Sequence, residues 1–169
     1  MIEFILKNRK LRLHPDGIIY VRAHQKGIET KNGKWKEVKF TDNKGYKVCT
    51  MTLDGVGTTV SQHRMVYYAH NQSWDIWDIS KDNVIDHINR KKDDNSIENL
   101  KLATQQENTF NTDAKGYSWS KAKGKWQAEI TLNGKKKHLG LFEHEADARN
   151  AYLKEKEILH KIIISTNNI

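Results

Sequence analysis

Four residues have types and spacing that suggest chemistry: Asp86, His87, Asn99 and Asn108. A carboxylate and an amide oxygen are hard ligands. Two of them leave several coordination positions open, which suits Mg²⁺ or Mn²⁺ bridging protein and phosphate better than a closed structural site. Asp86 and Asn108 are the candidate pair. His87 adjoins the carboxylate but faces the other way on an extended backbone, so it is the natural general base for an attacking water. Asn99 is placed to bond backbone groups across the intervening turn and hold the His87 segment, an orienting role. The chemistry that fits is metal-assisted cleavage of a phosphodiester, with the ion polarising the phosphate and stabilising the leaving oxygen.

Specific local elements are needed to position these groups. The stretch from Val84 to Asn111 opens with a short apolar strand, Val84 and Ile85, that delivers Asp86 and His87. A polar turn follows over 90–95, and the pattern at Ile97, Leu100 and Leu102 predicts a returning strand. A helix should then begin at Thr104. Thr104 with Glu107 three residues later is a capping box, in which the hydroxyl takes the N3 amide and the glutamate reaches back. Asn108 then falls at the start of a helix rather than on a loop.

Asp86-His87-Ile88-Asn89, Asp94-Asn95, Asn99-Leu100, Thr104 and Asn108 together resemble the HNH nuclease motif in the form found in bacteriophage homing endonucleases. The resemblance implies a ββα-metal fold with Asp86 and Asn108 as metal ligands, His87 as general base and Asn99 as the loop-holding asparagine. It also implies cleavage to 5′-phosphate and 3′-hydroxyl ends. Lys44-Gly45-Tyr46 and Gln62-His63-Arg64-Met65-Val66 look like the segment that precedes the motif in those enzymes. His63 and Arg64 are placed to steady a phosphate near the cut, since a guanidinium grips phosphate with two bonds, with helix-capping or packing the favoured reading of His63.

From Lys115 onward strand alternation is clear. Trp126, Ala128, Ile130 and Leu132 fall on one face, with Lys125, Gln127, Glu129 and Thr131 on the other. Asn133-Gly134 is a two-residue hairpin signal, and the following helix carries Ala148, Ala151, Tyr152, Ile158 and Leu159 on one stripe. One sheet face is thereby covered and the other left open. Lys115, Lys121, Lys123, Lys125, Lys135, Lys136 and Lys137 stand against Glu129 alone between Lys115 and His138. Gly116, Lys125-Trp126, Ala128-Glu129-Ile130, Leu139-Gly140, Phe142, Ala148 and Ala151-Tyr152 are similar to the Apetala (ethylene-response-factor) type of DNA-binding domain. That resemblance implies base- or phosphate-facing positions at Ser118, Ser120, Glu129, Thr131, Lys136 and His138. The alternative is a scaffold with a solvated lysine face.

The 169 residues, 37% hydrophobic, carry a formal charge of +8, with a mean hydropathy of −0.82 and a pI near 9.4. A single large core is disfavoured and a polyanionic partner favoured. The single cysteine, Cys49, excludes an internal disulfide framework and the zinc-stapled subclass of HNH nucleases, so no zinc is expected. No apolar run is long enough to span a bilayer and no signal peptide is evident, so a cytoplasmic protein is expected, in the host bacterium if phage-encoded.

The expected fold class is α+β. A β-rich region at 1–60 either lies against a nucleic-acid backbone or supports the nuclease. It precedes the HNH module at 61–112, a three-stranded antiparallel sheet packed on one helix at 113–161, and a tail at 162–169. The expected partner is double-stranded DNA, with monomer or homodimer left open. The expected activity is site-specific, sequence-tolerant DNA cleavage; a DNA-binding regulator with an inactive nuclease motif is the alternative.

Overall fold

The computed structural model describes residues 1–25, 28–29, 33–112, 114–132 and 134–166, and its architecture is α+β. Two compact units divide it, Met1–Leu102 and Ala103–Ile169.

In the first unit, β1 (Ile2–Leu6) and β2 (Arg9–Leu13) pair antiparallel with Phe4 opposite Leu11. Their period-two pattern buries Phe4, Leu6, Leu11 and Leu13 on one face. β3 (Ile19–Arg22) and β6 (Trp35–Glu37) extend this sheet in the order β1-β2-β3-β6, while β4 (His24–Gln25) and β5 (Ile28–Glu29) pair separately. A second sheet joins β7 (Thr41–Asn43), β8 (Tyr46–Leu53) and β9 (Val56–Ser61). Cys49 lies opposite Val60 and both are buried, which pushes the Cys49 thiol up to about 11. Helix α1 (Gln62–His70) starts after Ser61 and buries Met65, Val66 and Ala69 on one face.

β10 (Val84–His87) and β11 (Leu100–Ala103) form a two-stranded ladder. The expected return strand begins later than its apolar pattern suggested, because Ile97–Asn99 is a 3₁₀ turn. Local side-chain bonds hold that turn: Ser96 Oγ donates to Asp94 Oδ1 at 2.7 Å, and Asn99 Nδ2 donates to the Asp94 carbonyl at 2.7 Å. Such bonds give the backbone an alternative to a strand ladder.

One hydrophobic cluster runs through this unit, from Phe4, Leu11 and Ile19 through Met65 and Val66 to Ile85 and Leu100. The expected boundary at residue 60 is therefore not a packing boundary. The N-terminal strands and the β10–β11 ladder share a core. The break falls instead between Leu102 and Ala103, inside the span assigned to one nuclease module. The reason is Phe110 on α2 (Gln105–Phe110), which packs with Ile130, Tyr152 and Leu159 of the second unit.

That second unit places β12 (Tyr117–Ser120), β13 (Lys125–Leu132) and β14 (Lys135–Phe142) in one antiparallel sheet, with α3 (Glu145–Thr166) packed on it. Ala128 and Ile130 are buried on one face, as expected from the alternation. Leu132 pairs with Lys135; the expected hairpin turn falls in part on Asn133, which lies outside the described residues. The register shifts between Ala128 and Glu129: Ala128 faces Gly140 but Glu129 faces His138, so Leu139 is the extra residue of a β-bulge. Ala148, Tyr152 and Leu159 of α3 are buried, whereas Ile158, expected on that stripe, is exposed. The helix continues through Thr166, beyond the tail boundary expected at 162. Gly116 has φ +66, and its open backbone lets the Tyr152 ring approach where a Cβ would sit.

Candidate functional site

On β10, Ile85, Asp86 and His87 are all buried, Asp86 and His87 at 4% exposure each. Asp86 Oδ2 lies 3.7 Å from Lys101 Nζ on β11, so the carboxylate has a cationic neighbour at ion-pair distance. His87 lies among a different set of side chains. Its Nε2 is 3.0 Å from Asn95 Oδ1, and its ring centroid is 5.1 Å from His63 and 6.0 Å from Tyr46. Asn95 Nδ2 in turn donates to Gln62 Oε1 at 3.1 Å, and Gln62 Nε2 donates to the Gly17 carbonyl at 3.5 Å.

Asn99 is buried and spans the turn, as a loop-holding residue should. Its Oδ1 accepts from the Asn89 amide at 2.9 Å, its Nδ2 donates to the Asp94 carbonyl, and its own carbonyl accepts from the Ile88 amide at 2.8 Å. Three bonds from one residue thus fix the backbone on both sides of the loop that follows His87. Asn89 Nδ2 adds a bond to Asp94 Oδ2 at 2.7 Å, and this bond and the Ser96 hydroxyl hold the Asp94 carboxyl below its ordinary range.

His63 is a packing residue. Burial, reinforced by the neighbouring His87 and Arg64, pushes its imidazole down to about 3. Its Nε2 contacts Ser61 Oγ at 3.3 Å, and its Nδ1 is buried with no hydrogen-bond partner. A neutral ring beside His87 adds bulk without adding charge at neutral pH.

Arg64 does not do what its sequence context suggested. Its Nε and Nη2 donate to the Ile76 carbonyl at 3.2 and 2.6 Å, Nη2 to the Asp78 carbonyl at 2.8 Å, and Nη1 to the Asn83 carbonyl at 3.1 Å. The guanidinium also lies over the Trp74 ring, 4.7 Å from its centroid. A planar fork with five donors saturates carbonyls as well as it grips phosphate, and here it ties the connection that leads into β10. Burial pulls its pKa below the ordinary value, with Asp78 and Asp75 opposing. Asn83 completes the clamp, accepting from Trp74 Nε1 and donating to the carbonyls of Asp75 and Asp78 at 2.9 and 2.7 Å. Trp74 packs against the core, and Trp77 is exposed beneath Lys7.

In the second unit the capping box is complete. The Glu107 amide donates to Thr104 Oγ1 at 3.1 Å, and the Thr104 amide donates to Glu107 Oε2 at 2.6 Å. Asn108 follows on α2, half-buried, its amide bonded to the Thr104 carbonyl at 3.0 Å.

Asp86 lies in the first unit and Asn108 in the second; each side chain offers a hard oxygen donor. A buried carboxylate needs positive charge nearby, and Lys101 Nζ lies 3.7 Å from Asp86 Oδ2. Among the described residues no three or more His, Cys, Asp and Glu side chains are grouped to hold a metal.

The open face of the second sheet gathers the residues expected there. Cross-strand pairs put Ser118 opposite Gln127, Ser120 opposite Lys125, Glu129 opposite His138 and Thr131 opposite Lys136. Lys115, Lys121 and Lys123 are exposed beside or between the strands. The basic surface is more balanced than the residue count implied. Lys125 pairs with Glu143 at 2.7 Å, Lys136 with Glu129 at 3.6 Å, and Lys137 turns to the helix side to meet Glu155 at 2.8 Å.

Sequence reasoning missed Asn83 and Lys101, and it gave no role to Tyr46, Gln62 and Asn95, which it quoted only within the resemblance. Asn95 was available as part of the motif, but its partner Gln62 lies 33 positions away, and no local pattern links them.

An HNH endonuclease family profile matches residues 61–110, the span holding α1, β10, the 3₁₀ turn, β11 and α2. Protein 3.8 of Escherichia phage T7 is 30% identical over 86 residues, covering 43% of this chain and 71% of that protein. No solved structure matches. No helix among the described residues is long and apolar enough to cross a membrane. The matched span contains the buried Asp86–His87 pair and the Asn99 loop bonds, and the chain belongs to the family of phage T7 protein 3.8, with an HNH endonuclease domain at residues 61–110.

Proposed function

We propose that this chain is a site-specific DNA endonuclease of the homing type that hydrolyses one phosphodiester per active site. The observation that carries the reading is the arrangement on β10, where a buried carboxylate faces Lys101 and the adjacent buried imidazole is backed by Asn95 within the HNH span. His87 takes the proton from the attacking water. Asn99 holds the loop beyond it, so that the imidazole does not swing as charge develops. Asp86 and Asn108 would hold a Mg²⁺ or Mn²⁺ ion, which when bound polarises the scissile phosphate and stabilises the leaving oxygen.

Double-stranded DNA is the proposed substrate, met in the host cytoplasm. The open sheet of the second unit, read as an Apetala-type domain, would enter the major groove with Ser118, Ser120, Glu129, Thr131, Lys136 and His138. Lys115, Lys121, Lys123 and Lys125 would contact phosphates. With six to ten phosphate contacts, affinity would fall by roughly 10³- to 10⁵-fold between about 50 and 200 mM salt. A monomer carries one such site and would nick; a dimer would cut both strands.

The test is supercoiled plasmid carrying phage DNA, incubated with the full chain and Mg²⁺, Mn²⁺ or EDTA, beside His87→Ala. Metal-dependent nicking at defined positions, lost in the variant, supports the reading. Binding without nicking would make the chain a DNA-binding regulator, and equal cutting by His87→Ala would remove His87 from the mechanism.

A further inference from the structure

We propose that Gln62 and Asn95 are positioning residues: a directional chain of side-chain amides, anchored on the Gly17 carbonyl, fixes the proton of neutral His87 on Nε2. Nδ1 is then the nitrogen that accepts the proton from water. The inference rests on the reading of His87 as the base, and it adds which of its atoms does the work and what decides that.

The direction follows from what each group can donate. The Gly17 carbonyl only accepts, so Gln62 must turn Nε2 toward it, at 3.5 Å. That turn leaves Gln62 Oε1 facing Asn95, where it too only accepts, and Asn95 presents Nδ2 at 3.1 Å. The far side of the Asn95 amide is then Oδ1, 3.0 Å from His87 Nε2. An amide oxygen cannot donate, so the proton between them belongs to the imidazole. Rotating Asn95 by half a turn would set its oxygen against Gln62 Oε1 and leave two acceptors facing each other, in a part-buried place where an unmet acceptor is costly.

The anchors come from separate elements. Gly17 lies in the turn before β3, with φ +82 and its amide bonded to the His14 carbonyl at 3.0 Å. Gln62 is the first residue of α1, and Asn95 lies in the loop between β10 and the 3₁₀ turn. The relay crosses the first unit from its N-terminal sheet to the candidate base. It gives the shared core a chemical purpose, because the N-terminal strands help decide which nitrogen of His87 is basic.

The test is a long-range ¹H–¹⁵N imidazole spectrum of the ¹⁵N-labelled full chain at neutral pH, with hydrogen exchange of the ring N–H. In the wild type the His87 proton should sit on Nε2 and be protected. Asn95→Ala should lose about tenfold in protection, the effect of removing one buried hydrogen bond of ordinary strength. Gln62→Leu, which takes away the acceptor that holds Asn95 Nδ2 and leaves the Asn95 amide free to turn, should lose part of it. A wild-type proton on Nδ1, or protection unchanged in Asn95→Ala, would overturn the proposal, and the wild-type spectrum decides even if the variants fold poorly. Plasmid nicking is scored in parallel. A proton on Nε2 in a chain that does not nick would sink the nuclease reading and leave the relay standing; nicking with the proton on Nδ1 would do the reverse.

Discussion

The rings of His63 and His87 lie 5.1 Å apart, centroid to centroid, with their planes 70° from parallel. Two imidazoles this close cannot both carry charge cheaply, and burial together with its neighbours His87 and Arg64 keeps His63 neutral.

Acid should therefore loosen this fold through His63. Above about pH 6.5 the folded and unfolded chains both hold it neutral, so it contributes no pH dependence. Below that, the unfolded chain takes up a proton that the folded chain refuses until about pH 3. Stability should fall as pH drops through that window, by at most about 1.4 kcal/mol per pH unit from this residue. Urea midpoints from pH 7 to pH 5 for wild type and His63→Phe read it directly. A slope the same in both would clear His63 of any part in acid lability.

Arg64→Lys should destabilise the first unit by about 2–4 kcal/mol, because one ammonium cannot serve three carbonyls and lie flat on Trp74. The denaturation midpoint measures the loss. The salt dependence of DNA binding separates this role from the phosphate grip expected from sequence. Loss of a phosphate contact would reduce the slope of log K against log salt by about one; the clamp described here predicts an unchanged slope.

Two glycines with similar backbone angles should respond differently to alanine. A Cβ on Gly116 would stand 2.1 Å from the Tyr152 ring, whereas nothing lies within 4 Å of one on Gly124. Gly124→Ala should cost about 1–2 kcal/mol, the strain of a left-handed residue. Gly116→Ala should cost that plus the displacement of Tyr152, a further 1–3 kcal/mol or so. Thermal unfolding of both variants provides the comparison, and equal shifts would mean Tyr152 yields without penalty.

Local signals were legible and distant ones were not. The Thr104–Glu107 box could be read because its partners lie three residues apart and their geometry follows from the helix itself. Asn99 was readable in role but not in conformation. The apolar spacing of Ile97, Leu100 and Leu102 resembled one strand, yet the Asp94–Ser96 and Asp94–Asn99 bonds wind the first part into a turn. Arg64 misled because its type and context fit phosphate, while its carbonyl partners lie 12 to 19 residues away in a connection without pattern.

The boundary near residue 60 followed a change in pattern from strand to helix, but packing ignores such changes. Phe4 and Leu11 share a cluster with Met65 and Ile85, so the first unit had to include both. The alternation of β13 was legible in the sequence, whereas the bulge at Leu139 that breaks the alternation of β14 was not. The ion pairs of Lys125, Lys136 and Lys137 depend on cross-strand register and on α3, which no count of lysines reveals.

The single extra residue at Leu139 reconciles two demands on β14. Strict alternation from Lys136 and His138 outward would point Phe142 into water and tuck Leu141 inside. The insertion resets the count, so the polar end and the apolar end of one strand each face the side that suits them. Paired without the bulge, the same sequence would have to choose between exposing an aromatic ring and burying an ammonium group.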